Sequence, residues 1–211
     1  MVVSDRTIST MEATRLALDL VGTIHHDGHG GVADDLADLA GLAAWLRDRA
    51  GALDCTEHGP PPADPALLTA VRELRAALRS LCARAVRPAP PSSADAHRLL
   101  PEDQALARLN AAAARVPTAP RLTWQPGVPP VLRHLPVGTP PAADRLTAAL
   151  ARAALALLGG PDRERLRACP APRCVRYFVK EHARQEWCTP SCGNRARVAR
   201  HHERRRRAAN R

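Results

Sequence analysis

With 211 residues the chain is long enough for a real hydrophobic core in one or two domains. Aromatic residues make up only 2% of it, so the core has to be built from Leu, Ala and Val, which favours helix over strand. The formal charge of +10 sits at one end: residues 1–160 hold 16 Lys+Arg against 16 Asp+Glu, while residues 161–211 hold 15 against 5. Charge placed this way excludes a merely sticky basic protein and points to a polyanionic partner for the C-terminal part. The stretch from Met1 to Arg6 lacks a basic leader followed by an apolar run, and no window offers about 18 uninterrupted apolar residues. Neither a signal peptide nor a membrane span is expected, and a cytoplasmic location follows. In a reducing cytosol, clustered cysteines read as metal ligands rather than disulfides.

Residues 10–21 place Ala13, Leu16, Ala17 and Leu20 on one face of a first helix, which Gly22 ends. The run His25-His26-Asp27-Gly28-His29-Gly30-Gly31 could bind a metal, but its glycines favour a solvated loop. Residues 34–50 predict a second helix with Leu36, Leu39, Ala40, Ala43 and Leu46 inward. Asp64 caps a third helix, opened by Pro65 and running to about Val86. Its buried side is Leu67, Leu68, Val71, Leu74, Leu78 and Leu81; Arg72, Arg75, Arg79 and Arg84 are expected on a solvated face. Cys55 reads as a loop thiol and Cys82 as a core thiol.

The breaker Pro88-Ala89-Pro90-Pro91-Ser92-Ser93 precedes a fourth helix over residues 102–115. Residues 121–124 and 131–134 flank a Pro- and Gly-containing turn as a small β-hairpin. Thr139-Pro140 opens a fifth helix over residues 146–158, with Ala149, Leu150, Ala153, Ala154 and Leu157 inward. Gly159-Gly160-Pro161 stops it and marks the domain boundary, with a helical turn expected over residues 162–168.

The C-terminal part carries the definite chemistry. Cys169 and Cys174 are four residues apart, Cys188 and Cys192 three, with thirteen between the pairs. Such spacing lets two tight turns, or one turn and a helix start, converge four sulfurs on one tetrahedral ion. Thr189 as N-cap and Pro190 at the first position begin that helix, placing Cys188 before it and Cys192 in its first turn. Four thiolates leave no open coordination position, so one structural Zn²⁺ is expected; His182 is the competing ligand and redox thiols the alternative chemistry. The net negative cluster needs cations nearby, and Arg167, Arg173, Arg176 and Lys180 are close in sequence. Further along, Arg197, Arg200, Arg204, Arg205, Arg206 and Arg207 are candidate phosphate contacts. Asn194 could reach a base edge or cap backbone; Arg195 could reach guanine or phosphate, or pair with Glu186 or a carbonyl.

The run Trp187-Cys188-Thr189-Pro190-Ser191-Cys192-Gly193-Asn194-Arg195 resembles the bacterial CGNR zinc fingers, and Cys169-Pro170-Ala171-Pro172-Arg173-Cys174 with Tyr177-Phe178 resembles the finger's first half. Leu18-Asp19-Leu20-Val21-Gly22-Thr23 is similar to the opening of the ABATE domain, a module of stress-induced transcription regulators, with Gly22 where that family has Asn. Leu42-Ala43-Ala44-Trp45-Leu46 and Leu109-Asn110 are similar too. The resemblance implies a zinc-binding, duplex-DNA-binding regulator, and marks Asp19, Thr23 and Trp45 as candidate lining of a small-molecule effector pocket.

The expected fold is mainly α. A helical domain of residues 1–160 with a small β-hairpin, serving as sensor or homodimerisation module, precedes a four-cysteine finger of residues 161–211. That finger is treble-clef-like or zinc-ribbon-like and ends in a basic helix. No P-loop, G-x-G-x-x-G, G-x-S-x-G or H-E-x-x-H run is present, so an enzyme is not expected. Two other readings stay open: a finger for RNA or a ribosomal surface, and an enzymatic body with a purely structural zinc clip.

Overall fold

A computed structural model of the chain describes residues 9–29, 31–53, 59–95 and 98–209. Cys55 and the Met1–Arg6 stretch lie outside these. The elements run α1 (Thr10–Gly22), β1 (Ile24–His26), β2 (Val32–Asp34), α2 (Leu39–Asp48), α3 (Pro65–Ala85), a 3-10 turn at Ser93–Asp95 and α4 (Glu102–Ala114). Then come β3 (Thr118–Thr123), β4 (Val131–Pro136), α5 (Ala142–Gly159), α6 (Asp162–Arg165), β5 (Leu166–Ala168), β6 (Tyr177–Val179) and α7 (Pro190–Ala209). The fold is mainly α, as the Ala- and Leu-rich composition predicts. No described helix is long and apolar enough to cross a membrane.

Helix α5 packs against α1, α3 and α4. Leu16, Leu20, Leu78, Leu109, Leu146, Leu150 and Leu157 interlock there with under 2% of their surface exposed. A reciprocal capping box starts α1: the Glu12 N–H donates to Ser9 Oγ and the Ser9 N–H to Glu12 Oε2. Helix α3 starts as its sequence predicts, with the Leu67 N–H on Asp64 Oδ1 at 2.8 Å and Pro65 in the first turn. Cys82 is a core thiol, pushed up to about 12 by burial.

Three expectations are corrected. The histidine run is no simple loop: β1 and β2 pair antiparallel, with His25 opposite Ala33 and His26 opposite Val32. Helix α2 starts at Leu39 rather than at residue 34, and its buried residues are Leu42, Trp45 and Leu46. Asp34 is held in β2 by Arg75, and Asp35 by His25, so the helix is instead capped by Asp38, whose Oδ1 accepts the Gly41 N–H at 2.8 Å. Gly41 is required there, because a Cβ would stand 2.1 Å from the Asp35 carbonyl oxygen.

The third correction concerns α3. Arg84 is exposed, but Arg75 and Arg79 are only 6% and 3% exposed. Helices α1, α2, α4 and α5, strand β5 and the 3-10 turn all contact α3, which leaves little of it for solvent. Each buried guanidinium is paired with a carboxylate, since an unpaired one would be costly. Arg75 binds both oxygens of Asp34 and donates to Thr23 Oγ1. Burial works to raise the Asp34 pKa, but the Arg75 hydrogen bonds win and hold it below the usual carboxylate range.

Strands β3 and β4 form the predicted hairpin in a longer register, from Thr118 opposite Pro136 to Thr123 opposite Val131. It stands out from the helices, with Leu122 61% and neighbouring Trp124 71% exposed.

Candidate metal centre and nucleic-acid interface

The C-terminal region grows out of the helical core. Thr14 Oγ1 donates to Asp162 Oδ2 at 2.6 Å, and Leu166 and Tyr177 belong to the main core cluster. Strands β5 and β6 pair antiparallel, Arg167 opposite Phe178, and their side chains alternate between the two sides. Tyr177 turns to the body, where its OH donates to Asp95 Oδ2 at 2.8 Å and accepts the Ser92 N–H. Phe178 turns the other way, into a small cluster with Cys169, Ala171, Cys174 and Cys192, against which Trp187 and Cys188 pack.

The turn between these strands carries the first cysteine pair. The Cys169 N–H donates to the Arg176 carbonyl at 2.9 Å and the Cys174 N–H to that of Ala171 at 3.0 Å. Arg173 adopts φ 64°, the left-handed conformation that closes the knuckle. The second pair stands at the start of α7, where the Cys192 N–H donates to Thr189 Oγ1. A knuckle facing a helix start is the treble-clef-like arrangement of the two expected; a ribbon would draw its second pair from another hairpin.

All four sulfurs lie within 4.8 Å of one another, and three of the four cysteines are buried. A regular tetrahedron with Zn–S bonds of about 2.3 Å spaces its sulfurs about 3.8 Å apart. Cys174 Sγ lies 3.7 Å from Cys188 Sγ, which lies 3.5 Å from Cys192 Sγ. The donor set therefore fits one structural zinc. As thiols alone, Cys169, Cys174 and Cys188 share protons unequally. Hydrogen bonds from Cys174 and then Cys188 pull Cys169 far down, while the same bonds push Cys174 up to about 11 and Cys188 higher still. Binding of a dication favours their thiolate form and releases the protons. Among the described residues no histidine joins this group, so His182 is not a ligand.

Around the cluster the cations divide their work differently from the expectation. Arg195 Nη2 donates to Cys192 Sγ at 3.0 Å, so its place is at the metal rather than on Glu186. The Cys188 N–H adds a second donor, to Cys169 Sγ. Arg167 instead binds the carbonyls of Glu164 and Leu166, and Lys180 that of Ala183. Gly193 lets α7 lie close on the indole: a Cβ there would stand 3.1 Å from Trp187 Cε3. Asn194 Oδ1 accepts from Arg197, and the Arg200 guanidinium lies 5.9 Å from the Trp187 ring centroid. Arg197, Arg200, Arg204 and Arg207 share one side of α7, with Glu203 paired to Arg207 at 2.5 Å. Arg205 and Arg206 are exposed and, at about 100° per residue, point to other sides.

The ABATE model, described as "Putative stress-induced transcription regulator", matches residues 14–161, well over half of the chain. The chain belongs to the ABATE family. The CGNR zinc-finger model matches residues 165–205, which include all four cysteines. No curated protein matches the chain. With the thiolate geometry, these matches describe a zinc-binding protein of a transcription-regulator family.

Within the ABATE body, the three residues marked for a pocket occupy two places. Asp19 lies 3.3 Å from Arg49 Nε, and the Arg49 guanidinium covers the Trp45 ring at 5.2 Å. Thr23 is buried elsewhere, donating to the Leu20 carbonyl and accepting from Arg75. The loop residues Asp27 and His29 are exposed and take no part in a described metal group. Sequence reasoning missed the group that joins body to finger. Arg79 donates to both oxygens of Asp95, to Ser92 Oγ, to the Val21 carbonyl and to the Val175 carbonyl. Ser92 Oγ also donates to that Val175 carbonyl, at 2.8 Å. The available signal was that Arg75 and Arg79, one helical turn apart, directly follow the apolar core positions Leu74 and Leu78.

Proposed function

We propose that this protein is a DNA-binding transcription regulator, in which the helical body of residues 1–160 senses a stress signal or small molecule and the finger of residues 161–211 holds duplex DNA. The observation that carries this reading is the basic side of α7. Arg197, Arg200, Arg204 and Arg207 line up along a helix whose start is pinned by four thiolates. A rigid helix with aligned guanidinium groups suits a phosphate backbone, and counterion release then dominates affinity. Arg195 is left to the metal, and Asn194 to its neighbour Arg197, so backbone contact outweighs base readout. The protein works in a bacterial cytoplasm, without catalysis and with one structural zinc as its cofactor, and its body is the homodimerisation module. Asp19, Thr23 and Trp45 remain the effector-responsive residues of this proposal.

The test is titration of zinc-loaded, full-length protein into random duplex DNA at several salt concentrations, with structured RNA beside it. Neutralising about four to six phosphates gives a slope of log K against log salt of roughly −4 to −5. Equal or tighter binding to the RNA would move the assignment to RNA or a ribosomal surface. No binding to either at low salt would leave the finger a structural clip and return attention to the body as an enzyme or small-molecule binder. An alanine panel at Asp19, Thr23 and Trp45 that leaves effector-dependent melting unchanged would remove the pocket.

A further inference from the structure

Between the β1–β2 hairpin of the body and the metal knuckle lies a cavity of about 200 Å³. Its wall comes from three separate stretches: His25 and His26, the knuckle from Cys174 to Arg176, and the helix start from Cys188 to Arg195. His26 Nδ1 accepts the Gly28 N–H at 2.8 Å, which fixes the ring proton on Nε2. Nε2 is buried, and among the described residues it has no hydrogen-bond partner. A buried donor left without an acceptor is costly, and the residue that carries it lines the cavity. His25 offers no such vacancy: its nitrogens are engaged by Asp35 Oδ1 at 2.8 Å and the His26 carbonyl at 3.2 Å.

The rest of the wall is also rich in donors. Arg176 is exposed and charged, and Arg195 spends one N–H on Cys192 and keeps the others. Thr189 and Ser191 bond one another at 2.9 Å, which leaves one hydroxyl hydrogen over. Among the described residues no carboxylate lines the cavity, and the thiolates are committed to the metal. The zinc-thiolate charge only partly offsets the excess of 15 Lys+Arg over 5 Asp+Glu in residues 161–211. A neutral imidazole N–H, two guanidinium groups and a hydroxyl converging from three directions suit a multi-oxygen anion.

We propose that this cavity is a phosphate seat shared between body and finger, with His26, Arg176, Arg195 and the Thr189–Ser191 hydroxyl pair as its donors. The oxyanion is either a backbone phosphate of bound nucleic acid or the phosphate group of a small molecule. In both cases the body reaches the metal-bound helix through His26. The seat does not depend on the finger binding DNA.

Inorganic phosphate is the probe, titrated by calorimetry into zinc-loaded, full-length protein at constant ionic strength set with chloride. The wild type is expected to bind it, and His26→Ala and Arg176→Ala each to raise Kd about tenfold. Both substitutions sit outside the hydrophobic core, and unchanged zinc content verifies that each variant is folded. A short duplex added to the phosphate complex then identifies the source. Release of phosphate by the duplex supports a backbone phosphate; retention beside the duplex supports a small phosphorylated molecule. No binding by wild type, or equal binding by wild type and both folded variants, overturns the seat.

Discussion

The Arg79 guanidinium, in the C-terminal half of the body's longest helix, donates to the carbonyl of Val175, the residue that follows the metal ligand Cys174. The distance is 3.1 Å and Arg79 is buried. Its charge is matched by Asp95, 4% exposed, whose second oxygen also takes the Tyr177 hydroxyl. Burial, with the Asp95 charge behind it, pushes the Tyr177 phenol well above its ordinary pKa, so it stays a donor at any physiological pH.

Removing that arginine should therefore cost more than a surface substitution. Arg79→Met leaves the Asp95 carboxylate buried and unpaired, for an expected loss of about 3–5 kcal/mol. Urea unfolding of the zinc-loaded protein checks the magnitude. Transfer of zinc to a colorimetric chelator, expected to be faster in the variant, checks the link to the knuckle.

Zinc itself should hold the finger. Structural zinc in small finger peptides is worth about 10–16 kcal/mol at neutral pH. Elemental analysis is expected to give one zinc per chain, and Cys169→Ser to abolish it. Chelation should red-shift Trp187 emission as its small cluster opens, while most of the helical circular dichroism survives with the leucine core.

His25 gives a pH signature. The hydrogen bond that His25 donates to Asp35 raises its pKa above 6.5, the His26 carbonyl adding to this and burial and Arg176 opposing it. A raised folded pKa means that the pair's stability is fully present below the unfolded value and lost as pH rises through the folded one. An NMR titration should find the His25 midpoint raised in wild type and returned towards 6.5 in Asp35→Asn. An unchanged midpoint in the variant would contradict the assignment to Asp35.

On the basic helix, position should sort the effects. Arg204→Ala should weaken duplex binding for every sequence alike and lower the magnitude of the salt slope by about one. Arg195→Ala should act mainly through faster zinc loss, because its guanidinium is bonded to Cys192 Sγ. Fluorescence anisotropy at three salt concentrations, alongside zinc content, separates the two.

A chain ending at residue 160 should be less stable than the full protein. It lacks Leu166 and Tyr177 from the main core, and leaves Arg79 and Asp95 without two of their partners. Thermal melts of both proteins, expected to differ by several degrees, test how far the body stands alone.

What the sequence made legible follows from the range of each interaction. The α3 start needed only Asp64 and Pro65, and the metal ligands only the spacing of four cysteines, both local patterns. The β3–β4 hairpin was found because its turn residues are adjacent to its strands. The late start of α2 was not legible, since Asp34 and Asp35 look like helix-capping residues until Arg75 and His25, 41 and 10 residues away, claim them. Arg79 was misplaced for the same reason: a charge on a helix reads as solvated unless its buried partners, Asp95 and Val175, are known. At Arg195 sequence offered base, phosphate or Glu186, and a sulfur three residues back took the bond.

Tyr177 and Phe178 are neighbours on one short strand, yet each belongs to a different core. That strand is a party wall, so whatever braces one room loads the other. Metal bound only by the folded chain adds RT ln(1 + [Zn²⁺]/Kd) to stability, and the shared wall passes part of it to the leucine core. Free zinc in the surroundings thus becomes a thermodynamic input to the half of the molecule that never touches it.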